Sequence, residues 1–398
     1  MFVTNFNDWE QRKVNSISGK TYGGGTPKTK TAEYWQGDFP WIQSSDLKID
    51  ELNKVNPQKF ITEEAIKNSA AKAIPGNSIA IVTRVGVGKL AYLKYPYSTS
   101  QDFLSLSVLT VDPLFGVYGL YKLIKKELNN IQGTSIKGMT KSDLLNKKLY
   151  IPFTLEEQKQ IGTFLKTLDN TIALHQEKLE KLKQLKKAYL QVMFPQKGEK
   201  TPQLRFANFF QDWKQRKLGE VAYIIGGGTP STKNNEFWNG DIDWYSPTEI
   251  GVQRYLNGSQ KKITNLGLQK SSAKLLPVGT ILFTSRAGIG NTAILEKEGA
   301  TNQGFQSIVP KKEKLDSYFI YSKTDELKKY GEITGAGSTF IEVSGKQMAK
   351  MPLLLPLINE QSKIATLFKE LDNTITLQKE KIYALQELKN VYLQKIFV

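Results

Sequence analysis

Two stretches of this chain carry apolar residues at helical spacing for far longer than any other. In the first, Ile161, Leu165, Leu168, Ile172, His175, Leu179, Leu182, Leu185 and Tyr189 recur at alternating steps of four and three for most of their length. In the second, Ile364, Phe368, Leu371, Ile375, Gln378, Ile382, Leu385, Leu388 and Tyr392 do the same. That period lays one stripe along a helix, and the stripe needs another helix to bury it. About 38 residues at 1.5 Å each make a rod of about 55 Å, longer than an ordinary globular helix. The simplest partner for each stripe is the other one. Both stretches contain Leu-Asp-Asn-Thr-Ile, beginning at Leu168 and Leu371, and both end Tyr-Leu-Gln-x-x-Phe at Phe194 and Phe397. One polar position, His175 in one copy and Gln378 in the other, interrupts both stripes. Two readings stand. The pair meets at the centre of an antiparallel seam and fixes its register, or each side chain points to solvent at the seam edge.

The rest of the chain repeats as well. Asp8-Trp9-Glu10-Gln11-Arg12-Lys13 returns as Asp212-Trp213-Lys214-Gln215-Arg216-Lys217. Gly23-Gly24-Gly25-Thr26-Pro27 returns as Gly226-Gly227-Gly228-Thr229-Pro230, and Tyr34-Trp35-Gln36-Gly37-Asp38 with Trp41 returns as Phe237-Trp238-Asn239-Gly240-Asp241 with Trp244. One unit, a head plus a helix, is therefore used twice, at an offset of about 203 positions. Within a head, a Pro-x-Gly turn at Pro75 or Pro277 feeds an apolar run that reads as a buried strand ending at Arg84 or Arg286 and a glycine loop. A further strand is expected over 101–111 and 303–309, and a helix over 118–129 and 317–329. A short apolar strand should end at Pro152 and Pro356. The predicted fold is α+β: two similar mixed α/β domains joined by two long helices in an antiparallel coiled coil, with an internal pseudo-two-fold repeat. The expected boundaries are 1–154 for the first domain, 155–194 for the first helix, 195–356 for a linker and the second domain, and 357–398 for the second helix. The Pro-, Gly- and Lys-containing segment 195–204 suits an exposed connection.

Charge narrows the function. With 55 Lys and Arg against 38 Asp and Glu, the 398-residue chain carries +17, which favours a polyanionic partner, usually nucleic acid. A hydrophobic content of 39 % is too high for a disordered chain. There is no cysteine and a single histidine, in the first long stretch, so disulfides and thiolate metal sites are excluded and His-based chemistry nearly so. No apolar run is long enough to span a bilayer, and no signal pattern stands at Met1-Phe2-Val3-Thr4, so the expected location is the cytoplasm. No Walker A loop, no His-Glu-x-x-His and no Asn-Pro-Pro-Phe/Tyr pattern occurs. Mg²⁺ held by carboxylates remains compatible with the composition. A Mg²⁺-dependent nuclease and a non-catalytic coiled-coil adaptor are accordingly the alternative functions.

Candidate contacts each carry a plainer alternative. The Gly-Gly-Gly-Thr-Pro turns, with Thr26 and Thr229, lack phosphate-loop spacing and read first as turns in which Gly supplies a positive φ. Thr83-Arg84 and Ser285-Arg286, with Lys89 behind the first glycine loop, suit a phosphate or a guanine edge; the alternative is an arginine bridging a carboxylate inside the head. Gln43, Ser44 and Ser45, and Ser246 and Thr248, follow a buried Trp and suit base-edge or phosphate contact, or cap a helix at Ser45 and Thr248. Gln101 and Gln303 suit adenine, or bond to backbone inside a strand. Thr134, Ser135 and Lys137, and Ser338 and Thr339, offer phosphate contacts from a loop, or cap it. The heads differ at 48–60 against 251–262, and at Lys94-Tyr95-Pro96-Tyr97 against Glu296-Lys297-Glu298-Gly299. That divergence fits two readers of different sequences, or drift between old duplicates.

The repeated order of Gly-Gly-Gly-Thr-Pro, Tyr/Phe-Trp-x-Gly-Asp and Trp, then Glu-Gln-x-x-Ile and Leu-Asp-Asn-Thr-Ile, resembles the specificity subunit of type I restriction–modification systems over essentially the whole chain. It departs only at Met1-Phe2, where the second unit has a fuller lead-in over 201–206. The resemblance implies that each head is a target-recognition domain for one half of a bipartite, asymmetric DNA site, and that the paired helices set the spacer. It implies two methyltransferase subunits as partners, and two translocase–nuclease subunits in the larger complex. S-adenosylmethionine, ATP and Mg²⁺ would belong to those partners, leaving no catalytic residue, metal or cofactor on this chain.

Overall fold

A computed structural model describes residues 9–130, 139–286, 288–336 and 342–397. The chain divides into two compact units, Met1–Lys178 with Gln378–Val398, and Leu179–Leu377. The division falls inside both long helices, Leu155–Val192 and Ile358–Ile396. Each unit is thus one head plus part of each helix.

In the first unit an antiparallel four-stranded sheet runs in the order Ser18–Gly23, Phe103–Leu109, Ser78–Val82, Leu90–Leu93. The apolar run Ser78–Val82 is buried on both faces. Strand alternation sends Ile79 and Ile81 into one core with the helix Pro113–Asn130, and Ala80 and Val82 into a second core with Ile42 and Tyr97. Burial on both sides is why the run reads as continuously apolar. A three-stranded sheet of Lys59–Ile61, Phe39–Ile42 and Ser98–Thr99 sits beside it, and Trp9–Lys13 pairs with Lys148–Pro152.

The second unit repeats this plan with one addition. Tyr255–Leu256, inside the divergent segment, adds a fifth strand to its larger sheet. The single helix expected over 317–329 is two, Ser317–Ser322 and Thr324–Gly335. The Lys323 N–H bonds to the carbonyls of both Ile320 and Tyr321, which closes the first helix before the second begins.

The shared helix motifs tie helix to head. Gln158 and Gln361 each accept a hydrogen bond from a head backbone N–H, Asp112 at 2.9 Å and Asp316 at 3.1 Å, while their amides donate to Pro152 and Pro356. The Asp of Leu-Asp-Asn-Thr-Ile receives a head tyrosine: Tyr118 donates to Asp169 at 2.6 Å, and Tyr318 to Asp372 at 2.8 Å. The same two carboxylates pair with Lys389 and Lys186 of the opposite helix. Within each unit the start of one helix lies against the end of the other, with Phe164 on Tyr392 and Phe368 on Phe194. The two helix portions in a unit therefore run antiparallel.

Along the seam, Ile161, Leu165, Ile172, Ile364, Phe368, Leu371, Ile375 and Ile382 are buried. Leu168, Leu179, Leu182 and Leu385 are half-buried. Leu185 and Leu388 depart from the expected stripe, being 41 % and 42 % exposed. Lys186 and Lys389 turn inward instead, toward Asp372 and Asp169. A straight helix of 3.6 residues per turn drifts against a strict seven-residue repeat, so the buried stripe moves over by one residue.

Gln378 Nε2 and His175 Nδ1 form a hydrogen bond inside the first unit. With Nδ1 as acceptor the imidazole is neutral, and burial, then Lys381 and Lys178, hold it below its ordinary range. A depressed folded-state pKa gives stability that is complete above the unfolded value of 6.5 and is lost as pH falls through the lower folded value. The melting temperature of the first unit is expected to drop on acidification below that point, and His175→Gln should flatten the dependence. Replacing His175 and Gln378 together by Leu is expected to raise thermal stability, because both polar partners leave at once, while loosening register. Calorimetry checks both; a fall in the double variant would mean that the polar pair is a net source of stability.

Candidate nucleic-acid interface

The most recognisable repeated motifs form an internal clasp. Trp41 Nε1 donates to the Gly25 carbonyl at 3.0 Å, and Trp244 Nε1 to that of Gly228 at 2.9 Å. Trp35 packs edge-on against Trp41, and Trp238 against Trp244, at 5.0 and 5.2 Å. None of Gly23, Gly24, Gly25, Gly226, Gly227 or Gly228 adopts a positive φ. The need is close approach: a Cβ on Gly24 would lie 1.8 Å from the Ser100 carbonyl oxygen, and one on Gly227 1.9 Å from that of Asn302. The triple glycine thus threads backbone past backbone, which corrects its reading as a positive-φ turn.

Around this clasp lie the candidate contacts. Thr26 donates to Gln101 Oε1, and Thr229 to Gln303 Oε1, both at 2.6 Å. Both glutamines are exposed rather than buried in a strand. Thr83 is buried and gives its hydroxyl to the Asp102 carbonyl at 3.0 Å, and Ser285 is fully buried. Neither hydroxyl is presented to solvent, because the chain stays buried past the strand ends at Val82 and Phe283 before it emerges at the arginine. Lys89 donates to the Ser44 carbonyl at 2.8 Å and so ties the glycine loop to the Gln43–Ser45 turn. The short helices there are capped at Gln43 and Ser246, by reciprocal bonds with Asp46 and Glu249. That is two residues before the expected caps at Ser45 and Thr248, which leaves both of those exposed. Thr134, Ser135, Lys137, Ser338 and Thr339 lie outside the described residues.

Arg84 and Arg286 sit at the exits of their strands, followed by glycines with positive φ: Gly86 and Gly88, and Gly288 and Gly290. Arg84 is exposed. Arg286 pairs with Glu342 at 2.9 Å. Sequence reasoning missed Lys141, whose ammonium lies beside Gly23. Burial first, then Lys72 and Arg84, hold it below its ordinary range. The signal was present, since Lys141 occupies the position of Gly345 in the other head. Among the described residues no His, Asp and Glu cluster is placed to hold a metal ion, and no helix is long and apolar enough to cross a membrane.

Two similar α/β heads, each with an exposed strand-end arginine and antiparallel helix portions, define a tandem-repeat α/β protein. The type I restriction modification DNA specificity domain matches twice, at residues 7–184 and 211–387. The chain belongs to that family. It is 35 % identical over 181 residues to the type I restriction enzyme MjaIX specificity subunit of Methanocaldococcus jannaschii, covering 45 % of this chain and 42 % of that one. It is 28 % identical over 275 residues to the EcoR124I/EcoR124II specificity subunit of Escherichia coli, covering 65 % of each. The chain thus spans under half the length of the first relative and 65 % of the second. Its fold is that of the type I restriction-modification S subunit from M. genitalium, with a TM-score of 0.64 at 16 % identity, covering 100 % of this chain and 98 % of that one.

Proposed function

We propose that each head reads one half of a bipartite, asymmetric DNA sequence, and that the paired helices set the unread spacer between the halves. The observation that carries this reading is one scaffold used twice, with the clasp and helix anchors kept and the segments 48–60 against 251–262 and 94–97 against 296–299 changed. What is kept holds the fold; what differs includes exposed positions such as Ile49 and Val252. The contacts proposed to reach DNA are Arg84, Lys141, Gln101, Ser44 and Ser45 in the first head, and Arg286, Gln303, Ser246 and Thr248 in the second. Thr134, Ser135, Lys137, Ser338 and Thr339 extend the same set.

In the cytoplasm the chain directs catalysis that takes place on other subunits. Two methyltransferase subunits, with S-adenosylmethionine, dock on it. Two translocase–nuclease subunits using ATP and Mg²⁺ complete the restriction complex. The chain supplies position, so that a partner can extrude and methylate an adenine. An adenine-methylation map of the host with and without the gene tests this. One bipartite motif should lose its methylation; an unchanged map would sink the reading.

The spacer role has its own test. Half-site centres about one DNA turn, 34 Å, apart fit a helix of about 55 Å. Inserting four residues into one long helix is expected to lengthen the spacer in the mapped motif and leave both half-sites unchanged. A motif with its original spacer would remove the ruler.

A further inference from the structure

The strand-end arginine is common to both heads, but its surroundings are opposite. In the second unit Arg286 Nε lies 2.9 Å from Glu342 Oε1 in an ion pair, with the two side chains 47 % and 34 % exposed. The backbone beside each is joined, Val343 N–H donating to the Ser285 carbonyl at 3.1 Å. A guanidinium held at Nε keeps its two terminal amino groups free in one plane, the edge that matches O6 and N7 of guanine.

In the first unit the helix caps Thr140 and Ser344 fix the correspondence between the heads. That alignment puts Gly138, which lies outside the described residues, at the position of Glu342, and Lys141 at the position of Gly345. At these two positions the first head therefore carries no carboxylate and one ammonium more than the second. Arg84 has no carboxylate partner among the described residues. Lys141 Nζ lies 2.8 Å from where a Gly23 Cβ would stand, while Gly24 passes the Ser100 carbonyl and Gly25 that of Ala70. The Thr83 N–H bonds to the Asp102 carbonyl at 2.8 Å. Lys141, Lys72 and Arg84 therefore all stand around the Gly23–Gly25 segment, in keeping with the lowered pKa of Lys141. Three cations with no carboxylate partner among the described residues are matched by phosphate, which carries a full charge, and poorly by a base edge, which carries only partial ones.

We propose that the shared arginine does different work in the two heads: Arg84, with Lys72 and Lys141, grips the DNA backbone, whereas Arg286, braced by Glu342, reads a guanine edge. This rests on the DNA-reading function proposed above and assigns its affinity and its specificity to different residues.

The test uses the assembled complex in its host, with variants Arg84→Ala, Arg84→Lys, Arg286→Lys and Glu342→Gln. Each methylation map is compared with those of the unaltered and deleted gene, and binding to a duplex carrying the mapped motif is titrated with salt. Arg286→Lys is expected to make one G·C position in one half-site degenerate, with discrimination there falling about tenfold to a hundredfold. Glu342→Gln should weaken the same position. Arg84→Ala should leave both half-sites intact, weaken binding at all sites alike, and reduce the salt exponent by about 0.9; Arg84→Lys should restore both. Degeneracy at a base on changing Arg84, or a uniform loss with a smaller salt exponent on changing Arg286, overturns the proposal. A deleted gene that changes no motif overturns the function on which it rests. All of these side chains are at least partly exposed, and retained methylation in Arg84→Lys reports a folded chain.

Discussion

Replacing Asp372 by Ala is expected to destabilise the second unit by about 3 kcal/mol, at the lower end of what removing one member of a buried ion pair costs. Its carboxylate accepts from Lys186 Nζ at 2.6 and 2.8 Å and from the Tyr318 hydroxyl at 2.8 Å, and lies 3.9 Å from Arg254. Without it Lys186 and Arg254, whose side chains are 29 % and 16 % exposed, lose the carboxylate they share. The remaining exposure is why the lower end applies. For a unit of this size the loss corresponds to a melting temperature lower by about 6–12 °C. Calorimetry should resolve it, and a shift below about 2 °C would make the cluster an ordinary solvated pair. Asp169→Ala, which removes the partner of Lys389 and Tyr118, should lower the other unit's transition.

Phe397→Ala is expected to cost the first unit about 3–5 kcal/mol, the usual range for deleting a buried aromatic ring. The ring is 5 % exposed, packs at a tilt with its centroid 5.1 Å from that of Phe115, and comes within 3.1 Å of where a Gly119 Cβ would be. Leu393 and Ile396 enter the same core, so losing Phe397 also releases the last turns of the helix. Denaturant unfolding measures the loss, and limited proteolysis should cut first near the C-terminal helix. Leu388→Ala, on the exposed face of the same helix, should stay within about 0.5 kcal/mol. Equal effects from the two substitutions would mean that the helix end does not hold the head.

The repeat, the two long helices and the buried strands before each arginine were all legible in the sequence. Each depends on periodicity or on recurrence along the chain, and neither needs coordinates. The candidate contacts were legible in type but not in surroundings. Thr83 and Arg84 are neighbours in sequence, yet one is buried against the Asp102 carbonyl and the other exposed. Arg84 and Arg286 occupy the same motif, yet among the described residues only Arg286 forms an ion pair, with a carboxylate 56 residues further along the chain. The cation beside Arg84 comes from Lys141, which no local pattern marks.

By itself the sequence determined that one unit of head and helix is used twice, that the helices need each other, and that the chain is strongly basic. Apolar period, repetition and net charge are properties of the chain that survive any arrangement of it. Only the tertiary structure decided what each head is built from. The first head holds its own helix start together with Leu393, Ile396 and Phe397, and the second head holds Met193 and Phe194 with Ile364 and Phe368. It also decided that the triple glycines and tryptophans clasp the fold and that lysines replace leucines at the seam. Those outcomes depend on which side chains meet across long separations in sequence, and burial, ion pairing and close backbone approach are set only there.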